Sequence, residues 1–158
     1  MNSNVAVDGN INMDFVFEVN NFSKPGETMR SYNFKRYSGG KGENQALTAS
    51  TLGAGVLMYG LLGNDKYAKE LTNILEKTKV NMKSVEVREC STSLAFSSID
   101  KEGENQIILV PGANSFIDCH YIDKIFKDII KSDMLLLELE IPLNTIKYCS
   151  NKFLIKVQ

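Results

Sequence analysis

Tyr37-Ser38-Gly39-Gly40-Lys41-Gly42-Glu43-Asn44 is the stretch that decides the fold. A weakly alternating segment, Glu27 to Tyr37, runs into it. A helical pattern from about Glu43 to Leu52 runs out of it and is closed by Gly53. Three glycines at a strand-to-helix junction let backbone approach a neighbour closely, and the helix N-terminus supplies free N–H groups. This is not a Walker A loop, because no Ser or Thr follows Lys41 and the first glycine is wrongly spaced; nor is it a dinucleotide fingerprint. Alone, the stretch reads at least as well as a plain tight turn.

Working outward, short apolar runs alternate with helical patterns, which favours an α/β fold. Upstream lie a strand at Val5 to Asp8, the motif Gly9-Asn10-Ile11-Asn12-Met13-Asp14, and a strand at Phe15 to Val19, with Pro25-Gly26 as a turn. Downstream, Gly55 to Leu62 is apolar on both faces, as a buried parallel strand should be. Lys66 to Thr78 reads as a helix with Leu71, Ile74 and Leu75 inward. Thr92 to Ile99 and Gln106 to Val110 form a hairpin, closed by Pro111-Gly112-Ala113-Asn114. Tyr121 to Ile130 is an amphipathic helix, Asp133 to Glu140 a buried strand, Leu143 to Ser150 a short helix and Phe153 to Val157 a final strand. Segments 15–37 and 92–110 lack crossover helices, so two sheets are expected: a main parallel one and a small side sheet.

The 158 residues suit one domain; 43% are hydrophobic, 23% charged, and the net charge is -1. This balance leaves no basic footprint for nucleic acid or a membrane surface. Arginine is confined to Arg30, Arg36 and Arg88. No apolar run approaches the ~20 residues of a membrane span, and no signal-peptide pattern opens the chain. Cys90, Cys119 and Cys149 are odd in number and scattered, so reduced thiols and a cytoplasmic setting are expected. The single histidine, His120, has no second histidine nearby and reads as structural or exposed.

Three polar groupings stand at the ends of apolar elements, where α/β proteins grip small ligands. Asn12 and Asp14 share a side if their segment is extended; a carboxylate accepting from vicinal hydroxyls beside an amide suits a polyol. In isolation, Asn-x-Asp is also a common solvated turn. Glu138 and Glu140 would share a strand face, with Glu138 expected to make a polar contact near the sheet end or to be partly exposed. Asp65, after Gly63-Asn64, is expected to cap the 66–78 helix rather than to act as a base.

Taken together and in this order, the Gly9–Asp14 motif, Gly39-Gly40-Lys41-Gly42-Glu43-Asn44, Pro111–Asn114 and Leu139-Glu140-Ile141-Pro142 resemble the N-terminal, sugar-binding half of ribokinases in the PfkB carbohydrate-kinase family. The resemblance runs from about Val5 to Val157. It implies a partial parallel sheet flanked by helices, with a small β lid that pairs two copies into a homodimer. It implies that Asn12, Asp14, Gly40, Lys41, Gly42, Asn44 and Glu140 contact ribose or a similar sugar, and that the family reaction is ATP-dependent phosphorylation at the primary hydroxyl. The family's catalytic aspartate motif, Gly-Ala-Gly-Asp, and its ATP, Mg and monovalent-cation sites have no counterpart here. The chain is therefore expected to carry no catalytic residue and to be inactive alone. A non-catalytic sugar-binding or lid-mediated interaction protein is the alternative, as is a relative acting on another sugar or a nucleoside. Two departures stand out. Glu43 replaces the usual alanine beside the glycine loop. Lys79 replaces a glycine, at a cost of roughly 1 kcal/mol if that position needs positive φ.

Overall fold

The computed structural model describes residues 4–157. Four parallel strands form the main sheet: β1 (Asn4–Asp8), β4 (Gly55–Gly63), β5 (Asn81–Arg88) and β8 (Met134–Leu137), in the order β5-β4-β1-β8. The second sheet holds β2 (Asn12–Val19), β3 (Ser31–Gly39), β6 (Ser93–Ile99) and β7 (Asn105–Val110), in the order β3-β2-β6-β7. In it, β2 pairs antiparallel with β3 and parallel with β6, and β6 pairs antiparallel with β7. The expected division into a parallel sheet and a small side sheet is what the fold shows.

Side chains alternate across β1, which separates two cores. Val5 and Val7 join Val56, Met58 and Leu62 of β4 under α1 (Lys41–Thr51) and α2 (Lys66–Leu75). Ala6 joins Tyr59 and Leu61 under α3 (Cys119–Ile129) and α4 (Leu143–Val157). Burial on both faces is why Gly55 to Leu62 is apolar throughout. The side sheet is held to the main body through Phe15, whose ring meets Tyr67 of α2 edge-on, with centroids 5.6 Å apart, and stacks on Phe96 of β6 at 5.0 Å.

Several expectations need correction. Phe153 to Val157 is not a strand: residues 143–157 form one helix. No Gly or Pro interrupts them, and buried Thr145 and Cys149 with half-buried Phe153 fall at i, i+4 and i+8 on the face toward α3. Lys152 adds an ion pair with Asp123 and lies 4.4 Å from the centre of the Phe126 ring. The edge-strand β5 was not anticipated; its run Asn-Met-Lys-Ser-Val-Glu-Val-Arg is half-polar because one side faces solvent. The strand read as Asp133 to Glu140 stops at Leu137, and residues 138–140 bend away. The strand expected from Glu27 begins at Ser31, after a Pro25-Gly26 turn closed by Glu27 N–H donating to the Lys24 carbonyl at 3.0 Å. Lys79 carries no strain, since no described residue other than glycine has positive φ.

Candidate functional site

The site is built where β1 and β8 end and α1 begins, beneath the side sheet. After Asp8 the chain turns through Gly9-Asn10-Ile11 and enters β2 at Asn12. Buried Asn10 organises the junction. Its carbonyl accepts from Glu43 N–H (3.1 Å), and its Oδ1 accepts from Gly42 N–H (2.9 Å). Its Nδ2 donates to Glu140 Oε2 (2.8 Å), and its own N–H donates to Glu138 Oε1 (3.1 Å). One asparagine thus ties the first turn of α1 to the segment after β8. Gly40, the residue before α1, has φ 106°, and a side chain there would sit 2.7 Å from the Asn10 carbonyl oxygen. Gly42 packs so tightly that an added Cβ would lie 2.7 Å from the Gly9 carbonyl carbon.

Asn12, Asp14, Gly40, Lys41, Asn44 and Glu140 line one small cavity of about 160 Å³, roofed by Ala95, Ile107 and Leu109 of the side sheet. Of the seven residues that the family resemblance assigns to the sugar, Gly42 alone lies outside it, directly behind the loop. Asn12 and Asp14 are on an extended strand and share a side, as their spacing requires. Asn12 Oδ1 accepts from Asn114 Nδ2 at 2.9 Å, and Asn114 Oδ1 accepts from Ile11 N–H at 3.3 Å. Lys41 Nζ pairs with Glu140 Oε1 at 2.9 Å. The cavity is below the roughly 300–1,000 Å³ of drug-sized ligand pockets, so it suits a small polar molecule. A larger cavity of about 540 Å³ lies at the opposite end of the main sheet, lined by Gly55, Lys79 and Lys83, and shares none of these residues.

Carboxyl groups crowd this region. Burial raises Asp14 above the usual carboxylate range, Glu140 raises it further, and Lys41 opposes the rise. Glu138 is buried and raised by desolvation, against the N–H groups of Glu140 and Asn10 that it accepts. It makes the polar contact that was one of its two expected placements, not the partial exposure, and it does so from beyond the strand end instead of from a strand face. Asp8, fully buried, is pushed up to about 7 by desolvation and by Glu138. The Lys41 ammonium is held above its ordinary value, first by its hydrogen bond to Glu140 and then by that residue's charge. The cavity therefore offers acceptors at Asp14 and Glu140, donors at Lys41 and Asn44, and an apolar roof, a set that fits hydroxyl groups on a compact carbon ring.

Asp65 stands elsewhere, capping α2. Its Oδ1 accepts from Tyr67 and Ala68 N–H, each at 3.0 Å, and from Thr92 Oγ1 at 2.8 Å; its Oδ2 accepts from Thr92 N–H at 2.7 Å. Burial would raise it, but the N–H groups of Thr92 and Ala68, with the remaining bonds, hold it below the ordinary value. Among the described residues, no cluster of three or more His, Cys, Asp or Glu is placed to hold a metal ion, and no helix is long and apolar enough to cross a membrane. Asn10 and Asn114 carry no assigned role in the sequence reading, and their place inside the Gly9–Asp14 and Pro111–Asn114 motifs is the available signal; Glu138 is legible only as the partner of Glu140 two residues on.

The pattern that describes pfkB family carbohydrate kinases matches residues 1–145. The chain is 37% identical over 152 residues to a ribokinase of Haemophilus influenzae, covering 93% of this chain and 48% of that protein. Its fold superposes on the crystal structure of a Thermotoga maritima ribokinase with a TM-score of 0.86 at 36% identity, covering 95% of this chain and 50% of that one. It superposes on an Arabidopsis thaliana ribokinase complexed with ribose and ATP with a TM-score of 0.74 at 26% identity, covering 96% and 51%. The chain spans about half the length of these relatives. Joined to the glycine loop and the polar cavity beneath a β lid, the match establishes that this chain belongs to the pfkB family of carbohydrate kinases.

Proposed function

We propose that this chain is the sugar-binding part of a ribokinase-type kinase, with ribose or a closely related pentose as its ligand. The observation that carries this reading is the convergence of Asn12, Asp14, Gly40, Lys41, Asn44 and Glu140 on one small cavity roofed by Ala95, Ile107 and Leu109. The Asp14 carboxylate would accept from sugar hydroxyls, Lys41 and Asn44 would donate to hydroxyl oxygens, and the apolar roof would cover the ring. The Arabidopsis relative, complexed with ribose and ATP, supports the same ligand class. In the whole enzyme, ATP with Mg and a monovalent cation would supply the phosphoryl chemistry. The cavity described here fits the sugar and not a nucleotide, so no step of transfer is assigned to these residues. Calorimetry with ribose tests the reading. Asp14→Ala should weaken binding by about 1.5–3 kcal/mol and Asn44→Ala by about 0.5–1.5 kcal/mol, the range for charged and neutral hydrogen bonds. Equal affinity in all three proteins would remove the assignment.

A specific feature of the side sheet supports a second element of the reading, a lid-to-lid homodimer. Every residue of β7 is exposed, with Ile107 at 58% and Ile108 at 69%. Tyr32, Phe34 and Tyr37 of β3 are exposed as well. β3 and β7 are the two edges of the side sheet, so large apolar side chains are exposed along both of them, surface that a partner can cover. Sedimentation should show a dimer that Ile108→Lys converts to monomer. A wild-type monomer at tens of micromolar would refute it.

A further inference from the structure

Asn114 makes a two-point contact that fixes more than its own place. It lies in the short helical turn Gly112–Phe116 and is buried. Its N–H donates to the Pro111 carbonyl at 3.1 Å and its carbonyl accepts from Ile117 N–H at 3.2 Å, so the side chain leaves from a fixed origin. The side-chain amide lies along the backbone of Ile11. Oδ1 accepts from Ile11 N–H at 3.3 Å, and Nδ2 donates to the Ile11 carbonyl at 3.4 Å. A backbone N–H only donates and a carbonyl only accepts. Turning the amide over would set NH2 against N–H and oxygen against oxygen, so the contact admits one orientation. Nδ2 also donates to Asn12 Oδ1, at 2.9 Å. Both of its hydrogens are then used, as burial of an amide requires. The orientation is passed on to Asn12, which is buried on β2 and lines the cavity. Its oxygen is spent on Asn114, and it cannot turn over without placing NH2 against NH2. What Asn12 keeps for a ligand is its own NH2 group. Two residues on, on the same side of the strand, the ionised Asp14 carboxylate only accepts.

We propose that Asn114 is a positioning residue that locks the Asn12 amide with its NH2 group toward the ligand, which makes Asn12 a donor to hydroxyl oxygens beside the Asp14 acceptor. The part of this inference that concerns the ligand rests on the sugar-site reading above; the orientation of the amide does not. A donor next to an acceptor on one wall suits alcohol groups, because a hydroxyl both donates and accepts. A carboxylate or phosphate oxygen would satisfy Asn12 but stand against the Asp14 carboxylate. The wall therefore favours the neutral oxygens of a polyol and disfavours anionic ones.

Two measurements on the full chain decide it. The first is hydrogen exchange of the side-chain amides, followed in nitrogen-15 spectra without sugar and assigned by the signals that Asn12→Ala and Asn114→Ala remove. Exchange should be slow at Asn114, whose two hydrogens are bonded and buried, and faster at Asn12, whose hydrogens face the cavity. Asn12 exchanging as slowly as Asn114, or more slowly, overturns the proposal. The second is calorimetry with ribose. Asn12→Ala should weaken binding by about two- to tenfold, the range for one neutral hydrogen bond. Asn114→Ala frees the Asn12 amide to turn and should weaken binding by no more than that. Because Asn114 acts on the ligand through Asn12, the double variant should bind as Asn12→Ala does. A purely structural role would lower the melting temperature of Asn114→Ala and leave its affinity at the wild-type value. That result, or losses that multiply in the double variant, overturns the positioning role. If Asn114→Ala does not fold, the exchange rates of the unaltered chain, with Asn114 assigned through its neighbours, decide alone. If the folded wild-type chain binds no ribose, the sugar-site reading fails while exchange still decides the orientation.

Discussion

Replacing Gly42 by alanine reverses the sign that helix propensity alone would give. In an open helix interior, alanine is favoured over glycine by about 1 kcal/mol. Here the new Cβ would lie 2.7 Å from the Gly9 carbonyl carbon, 2.8 Å from the Asn10 nitrogen and 2.8 Å from the Gly9 Cα. All three are backbone atoms, so no side chain can rotate aside. Relief requires α1 to move away from the β1–β2 turn, and that motion stretches two hydrogen bonds into Asn10, from Gly42 and from Glu43. Overpacking costs about 1–3 kcal/mol and each weakened bond about 1 kcal/mol. Against the propensity gain, the net loss is about 2–4 kcal/mol, a fall in melting temperature of roughly 4–16 °C for a domain of this size. Thermal unfolding followed by circular dichroism measures it, with ribose affinity read in parallel, because Gly40 and Lys41 would move with the helix. A melting temperature unchanged or raised by Gly42→Ala would show that α1 does not pack on Gly9 as described, and the cavity geometry would fall with it.

Asp65→Ala removes the cap of α2 and should cost about 0.5–2 kcal/mol at neutral pH. The folded-state value of Asp65 is lowered, so its contribution is present above the ordinary carboxylate range and is lost as pH falls through the lowered value; a cost undiminished at acid pH would contradict the capping role. Cys149 is fully buried, and desolvation, with Asp8, pushes its thiol up to about 12. Mass spectrometry after brief alkylation should find modification at half-buried Cys90 and Cys119, with Cys149 reacting only on unfolding; fast labelling of Cys149 would argue against the α3–α4 packing. The 158-residue polypeptide alone, given ribose and ATP, should show no turnover above blank in a coupled assay, because no aspartate among its described residues combines a free carboxylate at the cavity with unused N–H groups for a transferring phosphoryl. Turnover abolished by Asp65→Asn would reverse this and make Asp65 the base.

Much of the architecture could be read from the chain because its central elements obey simple periods. Val5 to Asp8 and Gly55 to Leu62 are buried on both faces and look it. Elements at the margins were harder. β5 is an edge strand whose Lys83, Glu86 and Arg88 hide a two-residue period. Phe153-Leu154-Ile155 has the composition of a strand, yet Leu154 and Ile155 are exposed on a helix whose packing on α3 involves Thr145, Cys149 and Phe153; tertiary contact overrode local propensity. The cavity residues were legible as polar side chains at the ends of apolar runs. The groups that hold them in place were not. Asn10 reaches Glu138 and Glu140, 128 and 130 residues away, and Asn114 reaches Ile11 and Asn12 over 103 and 102. No local pattern encodes such partners. Glu43 was visible as an intruder in the glycine loop, but its burial emerged only from the fold.

The most direct test of the central claim is a nitrogen-15 amide spectrum recorded while ribose is added to the chain. The account predicts that shifts cluster at Asn12, Asp14, Gly40, Lys41 and Asn44, with a second group at Ala95, Ile107 and Leu109 as the roof meets the sugar. Shifts confined to the larger cavity at the far end of the sheet, around Gly55, Lys79 and Lys83, or no shifts at millimolar ribose, would contradict it.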